Sequence, residues 1–266
     1  MLKNFVLTDV HGFYSIMIDT LTEVGFFSEP EPPRLIVLGD LLDRGNEALK
    51  MVEFMKALKD EGRLTYVRGN HEDLLVACLQ EISQGEVFNI SSPLSHHFTN
   101  GTWDSLLQLS MMDKESALRY PRELVARVMH STYYKELLPM TVDYLETEKH
   151  IFVHGYIPAR ESGRGAFKWY TYDPDWRDAD YDAWRAARWY NGMSLSSTFG
   201  VKEPGKTVVC GHYHASYGHS RIRNLSSEWG RDAIFEPYYD EGIIAMDAST
   251  ANSGKMNCLV FEEGEL

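Results

Sequence analysis

Long apolar runs are missing from this chain: no stretch of about 18 apolar residues occurs, so no segment is long enough to span a bilayer as a helix. Cysteine is scarce. Cys78, Cys210 and Cys258 are odd in number and far apart, which excludes a disulfide-dense scaffold and fits reduced, buried thiols. Basic residues are outnumbered, 26 Lys and Arg against 39 Asp and Glu, for a net charge of -13. That balance argues against nucleic acid and membrane surfaces as partners. It also repels anions at long range, so any anion-binding site would have to build its own positive field. The first seven residues hold one basic side chain and an apolar run that ends at Thr8-Asp9, too short for the core of a signal peptide. A cytoplasmic protein is expected. No repeat, low-complexity tract or linker interrupts the 266 residues, and a single domain over 1–266 is expected.

Composition is that of a globular protein, 44% hydrophobic and 24% charged. Five segments share one design, an apolar run that stops abruptly at polar residues. They are Asn4-Phe-Val-Leu-Thr-Asp, Arg34-Leu-Ile-Val-Leu-Gly-Asp, Leu64-Thr-Tyr-Val-Arg-Gly-Asn, His150-Ile-Phe-Val-His-Gly and Lys206-Thr-Val-Val-Cys-Gly-His. Such runs read as strands buried on both faces, as in an α/β sheet covered by helices. Residues 13–24 and 46–59 carry apolar positions at helical spacing. Residues 73–140 read as a mostly helical insertion or cap, with a loop near Ser91 and a restart at Pro121. Two further strands are expected around Ile243 and Leu259.

Ligands of α/β sheets gather beyond the carboxyl ends of strands, and here each such end carries metal- or phosphate-binding residue types. Asp9 and His11 lie two apart, so an extended backbone would aim both side chains the same way. Alone, Asp-x-His is weak; a turn Asp and a surface His explain it more often. Gly39-Asp40-Leu-Leu-Asp43-Arg44-Gly45 is more specific. Asp40 ends a strand and has two oxygens with which to bridge cations, whereas an acidic helix start would not need flanking glycines. In Arg68-Gly69-Asn70-His71-Glu72, the Asn70 amide oxygen can coordinate without adding negative charge. His71 can protonate a leaving alkoxide, with Asp43 the candidate to hold its other nitrogen. His154-Gly155 and Gly211-His212-Tyr213-His214 close two more strands. A lone His is usually structural. Five strand ends with ligand-type residues are hard to reach by chance.

Taken in order, these motifs resemble those of the calcineurin-like metallophosphoesterases. The Asp-Arg-Gly and Arg-Gly-Asn-His-Glu forms are similar to its phosphoprotein phosphatase branch, which includes bacterial-type Ser/Thr phosphatases and symmetrical dinucleoside tetraphosphatases. The branch ordinarily has Val-His-Ala where this chain has Val153-His154-Gly155, and its phosphoprotein phosphatases generally lack the second His of Gly-His-x-His. The resemblance implies a four-layer α-β-β-α sandwich and two divalent cations, Mn or Fe foremost and Zn possible. Metal one would take Asp9, His11 and Asp40, with His214 available. Metal two would take Asp40, Asn70, His154 and His212. His71 would be the general acid, oriented by Asp43. Arg44 and Arg68 would bind phosphate oxygens, joined by Arg188 with Arg185 as second choice.

The implied activity is hydrolysis of phosphate monoesters by a metal-activated hydroxide on a phosphorylated protein or small molecule. Hydrolysis of dinucleoside polyphosphates or cyclic nucleotides, and a non-catalytic metal-binding scaffold, are the alternatives. Among the remaining features, the aromatics from Trp169 to Tyr190 either stack a base or pack a long excursion, the latter being the commoner role. His96-His97 reads as loop surface and Cys78 as buried packing.

Overall fold

The computed structural model describes residues 3–163, 165 and 168–262. Eleven strands are present among them: β1 Lys3–Leu7, β2 Arg34–Leu38, β3 Leu64–Val67, β4 Leu145–Glu146, β5 His150–Phe152, β6 Ala159–Ser162, β7 Trp169–Tyr172, β8 Thr207–Cys210, β9 Tyr238–Asp240, β10 Ile243–Ala245 and β11 Leu259–Glu262. They form a four-stranded sheet in the order β11-β1-β2-β3, a five-stranded sheet β4-β5-β8-β10-β9, and the hairpin β6-β7. The pairs β1/β2, β2/β3, β5/β8 and β8/β10 are parallel, while β11, β4 and β9 are antiparallel at the edges.

Side-chain alternation along each strand divides the core into three layers. Phe5, Leu7, Leu35 and Val37 face the helices 14–23 and 48–60, where they meet Met17, Leu21, Met51 and Met55. Their neighbours Val6, Ile36, Leu38 and Val67 face the other way, onto Phe152, Val209 and Met246 of the second sheet. The far face of that sheet, with Ile151, Val208, Cys210 and Ile243, packs on Trp184, Met193 and Leu195. Helices, sheet, sheet, helices is the α-β-β-α sandwich. The strands are buried on both faces as expected, but one cover is a second sheet rather than a helix.

The helical segment after β3 runs through Asn70–Ser83, the short helices Val87–Ile90 and His96–Thr99, Thr102–Ser110, Lys114–Arg119 and Pro121–His130. Pro121 occupies the first turn of its helix, where a missing N–H costs nothing. Leu75, Trp103, Leu106, Leu124 and Val128 join the same core as the first sheet's helical face. The insertion therefore widens the outer layer instead of standing apart as a cap. His96 and His97, read as loop surface, lie in a short helix; His97 is buried with Nε2 3.2 Å from Glu81, and His96 is exposed.

Candidate active site

The carboxyl ends of β1, β2, β3, β5 and β8 converge, and the chain bends there in an unusual way. Asp9, His11, Asp40, Asp43, Arg44 and His212 all have φ between +49° and +77°. This left-handed region costs most residues about 1–2 kcal/mol and is best tolerated by Asp, Asn and His. Asp9 and His11 are thus not extended; left-handed turns, rather than a strand's two-residue period, aim them inward. Strain of this kind concentrates where side-chain direction matters more than stability.

Asp40 is the shared member of two ligand groups, His11–Asp40–His71 and Asp40–His154–His212. Its Oδ2 lies 3.8 Å from His11 Nε2 and 3.7 Å from His71 Nε2, and its Oδ1 lies 3.3 Å from His154 Nε2. Asn70 Oδ1 is 2.8 Å from the same His154 nitrogen. Asp9 approaches His11 Nε2 to 3.9 Å and accepts from Thr8 Oγ1 and the His212 amide. Gly69 is required beside them, because a Cβ there would come within 2.2 Å of Asp40 Oδ1.

Second partners fix the imidazoles. His154 Nδ1 meets the Leu38 carbonyl at 2.7 Å, and His11 Nδ1 meets that of Leu42 at 3.0 Å. Each Nδ1–H donates to its carbonyl, which leaves Nε2 to face Asp40, as in metal-binding histidines. Burial pushes His11 well below the ordinary imidazole range and lowers His212 to about 3, helped by neighbouring positive groups, so both are neutral and able to coordinate. Burial also lowers His154, but the Asp40 charge and hydrogen bond outweigh it and lift the group to about 10. Its proton sits among Nε2, Asp40 Oδ1 and Asn70 Oδ1, a mixed N/O set that a divalent cation takes in exchange for a proton. Burial and the neighbouring Asp9 charge raise Asp247, a residue given no role from the sequence. A site this rich in buried carboxylates fits positive ions.

His71 differs from the other imidazoles. Its Nδ1 lies 2.6 Å from Asp43 Oδ2. Burial lowers its pKa, yet Asp40 and the Asp43 hydrogen bond raise it more, and the net shift is upward. Spatially it belongs to the first ligand group, but a protonated imidazole donates rather than coordinates.

The four arginines divide. Arg44 is exposed and makes no ion pair among the described residues, and its charge is felt at His11, His71 and His212. Arg68 is half-buried, with Nε 2.7 Å from Asp73. Arg188 is buried and clasped between Asp73 and Asp143. Arg185 is exposed, beside Asp182, and lines a cleft of about 390 Å³ with Asn70, Asp73 and Trp189. His214 is not brought to either ligand group. The left-handed turn at His212 breaks the two-residue register, and His214 Nε2 lies 3.1 Å from Glu228 while its ring stacks on Tyr213.

Glu72 was quoted within a motif but given no task. Fully buried, it accepts the amides of Asp40 (2.9 Å), Leu41 (3.1 Å) and Gly69 (2.7 Å), and the Tyr66 hydroxyl (2.6 Å). Burial and the Glu72 charge raise the Tyr66 phenol well above its usual range, so it remains a donor. One carboxylate thereby ties the end of β2 to the end of β3. The signal was present as half of a capping box, with Glu72 three residues after Gly69 accepting its amide; glycine has no side chain for the other half. Glu72→Gln turns a donor toward donors in either amide orientation. It should cost about 1–3 kcal/mol in urea unfolding; an unchanged midpoint would exclude the tether.

The calcineurin-like phosphoesterase profile matches residues 3–233. The Ser/Thr-protein phosphatase 1 of Salmonella typhimurium is 27% identical over 191 residues, 66% of this chain and 81% of that protein. The symmetrical bis(5'-nucleosyl)-tetraphosphatase of Klebsiella pneumoniae is 34% identical over 93 residues, 35% of this chain and 32% of that one. Among solved structures, the cold-active protein-tyrosine phosphatase of a Shewanella species superposes with a TM-score of 0.51, at 16% identity, over 99% of this chain and 76% of that one, which supports the fold. The chain belongs to the calcineurin-like phosphoesterase family and is a hydrolase acting on phosphate esters.

Proposed function

We propose that the chain is a metal-dependent phosphomonoesterase of the Ser/Thr protein phosphatase type. The observation that carries this is Asp40, shared by two groups of imidazoles beside the His71–Asp43 pair. Asp9, His11 and Asp40 would hold one cation; Asp40, Asn70, His154 and His212 would hold the other. The mixed O/N donors suit Mn or Fe, with Zn as the alternative. When bound, the cations supply Lewis-acid charge and an activated water. Arg44 reaches phosphate oxygens from the open side with bidentate donors. Arg68 and Arg188, joined through Asp73, brace the wall behind Asn70, and Arg188 is a phosphate ligand only if substrate displaces its carboxylates. His71 gives its proton to the leaving oxygen, and Asp43 keeps the imidazole charged and aimed.

The protein-phosphatase relative is matched along four-fifths of its length, the tetraphosphatase along only a third, which favours phosphoprotein as substrate. The second reading, a dinucleoside polyphosphate, is favoured by the cleft beside Asn70, where half-exposed Trp189 offers a stacking face next to exposed Arg185. With Mn present, p-nitrophenyl phosphate and a phosphopeptide should turn over well. The bis-ester and diadenosine tetraphosphate should turn over poorly. Preference for diadenosine tetraphosphate would replace the first reading with the second.

A further inference from the structure

We infer that Thr102, carried by the helical insertion, is a positioning residue for the acid pair His71–Asp43; the inference rests on the acid role proposed for His71. Asp43 Oδ2 accepts two hydrogen bonds, from His71 Nδ1 at 2.6 Å and from Thr102 Oγ1 at 2.8 Å. Its other oxygen, Oδ1, is buried without a hydrogen-bond partner among the described residues. Among the described residues these two donors set the rotation of the carboxylate, and His71 is the one that must stay free to aim at substrate.

The backbone beneath is gripped by the same helix, Thr102–Ser110. The Asp43 amide donates to Ser105 Oγ at 2.9 Å. Gly101 has φ +84°, and a Cβ there would come 2.3 Å from the Arg44 amide nitrogen. Thr102 and Ser105 are both fully buried. The helix start thus presses on the 43–44 turn at three points, and Thr102 is the one that touches the carboxylate orienting His71. Without its hydroxyl the carboxylate can turn about its last torsion, exchanging oxygens and loosening the imidazole.

Leaving-group dependence separates positioning from general damage, because a proton donor matters for a poor leaving group and little for a good one. Thr102→Val keeps the shape and removes the donor. With saturating Mn it should lose about tenfold in kcat on phenyl phosphate, a fraction of a full general-acid contribution, and stay within about twofold on 2,4-dinitrophenyl phosphate. Thr102→Ser, which keeps the hydroxyl, should restore most of the phenyl phosphate rate. An equal loss on both esters, or no loss on either, overturns the inference. His71→Asn measured alongside tells two failures apart. If it shows the steep dependence and Thr102→Val does not, only the role of Thr102 falls. If His71→Asn shows none, the acid assignment itself falls, and this inference with it.

Discussion

Asp40→Asn is expected to lower turnover of p-nitrophenyl phosphate by about a thousandfold or more, equivalent to at least about 4 kcal/mol of transition-state stabilisation. The substitution is isosteric, so the Oδ1 that accepts the His71 amide at 3.0 Å can remain in place. What disappears is charge. Burial alone would raise the Asp40 carboxyl, but His154 and His71 outweigh it and hold the group ionised well below its usual range. With Asn, His154 loses the partner that lifts it to about 10. It sheds its proton, while the repulsion that Asp40 exerts on Asp9 and Asp247 is relieved. Circular dichroism should therefore report an intact fold. Both ligand groups lose their common member at once, so the rise in Tm expected of the parent protein on adding Mn should be absent from the variant. Near-normal turnover with Mn still stabilising the variant would remove Asp40 from the centre.

Much of this centre was visible in the sequence because parallel strands buried on both faces read as uninterrupted apolar runs. Val6-Leu7, Val37-Leu38, Tyr66-Val67, Phe152-Val153 and Val209-Cys210 each stop at polar residues that have no place in a core. Burial by a second sheet and burial by helices ask for the same residue types, so the runs could not say that Val6 meets Phe152 and Val209. The carbonyls of Leu38 and Leu42 that orient His154 and His11 leave no trace in residue identity. Neither do the left-handed turns, although Asp and His at most of those positions are what such turns tolerate. His214 was carried over by resemblance to the Gly-His-x-His form, and the left-handed turn at His212 sends it to Glu228 instead. Arg188 was placed by the family resemblance; only the fold shows that Asp73 and Asp143 already hold it. Thr102 and Ser105 lie some sixty residues from the Asp43 they touch, a distance across which spacing carries no information.

His71→Asn should reduce kcat by about a hundredfold to ten-thousandfold on esters with poor leaving groups, the span of a general acid's contribution. Its pH signature is more telling than its size. The folded pKa of His71 is raised, because the Asp40 charge and the Asp43 hydrogen bond exceed the effect of burial. The competent, protonated acid is therefore fully present below that raised value and is lost as pH climbs through it. The parent protein should show an alkaline fall in kcat. In His71→Asn no proton is carried at that position, so the same limb should vanish and leave a flat, low profile. Asp43→Asn removes an upward contribution while keeping the imidazole, so its limb should move to lower pH rather than disappear. A full alkaline limb persisting in His71→Asn would assign that titration to another group, and the leaving oxygen would have to find its proton elsewhere.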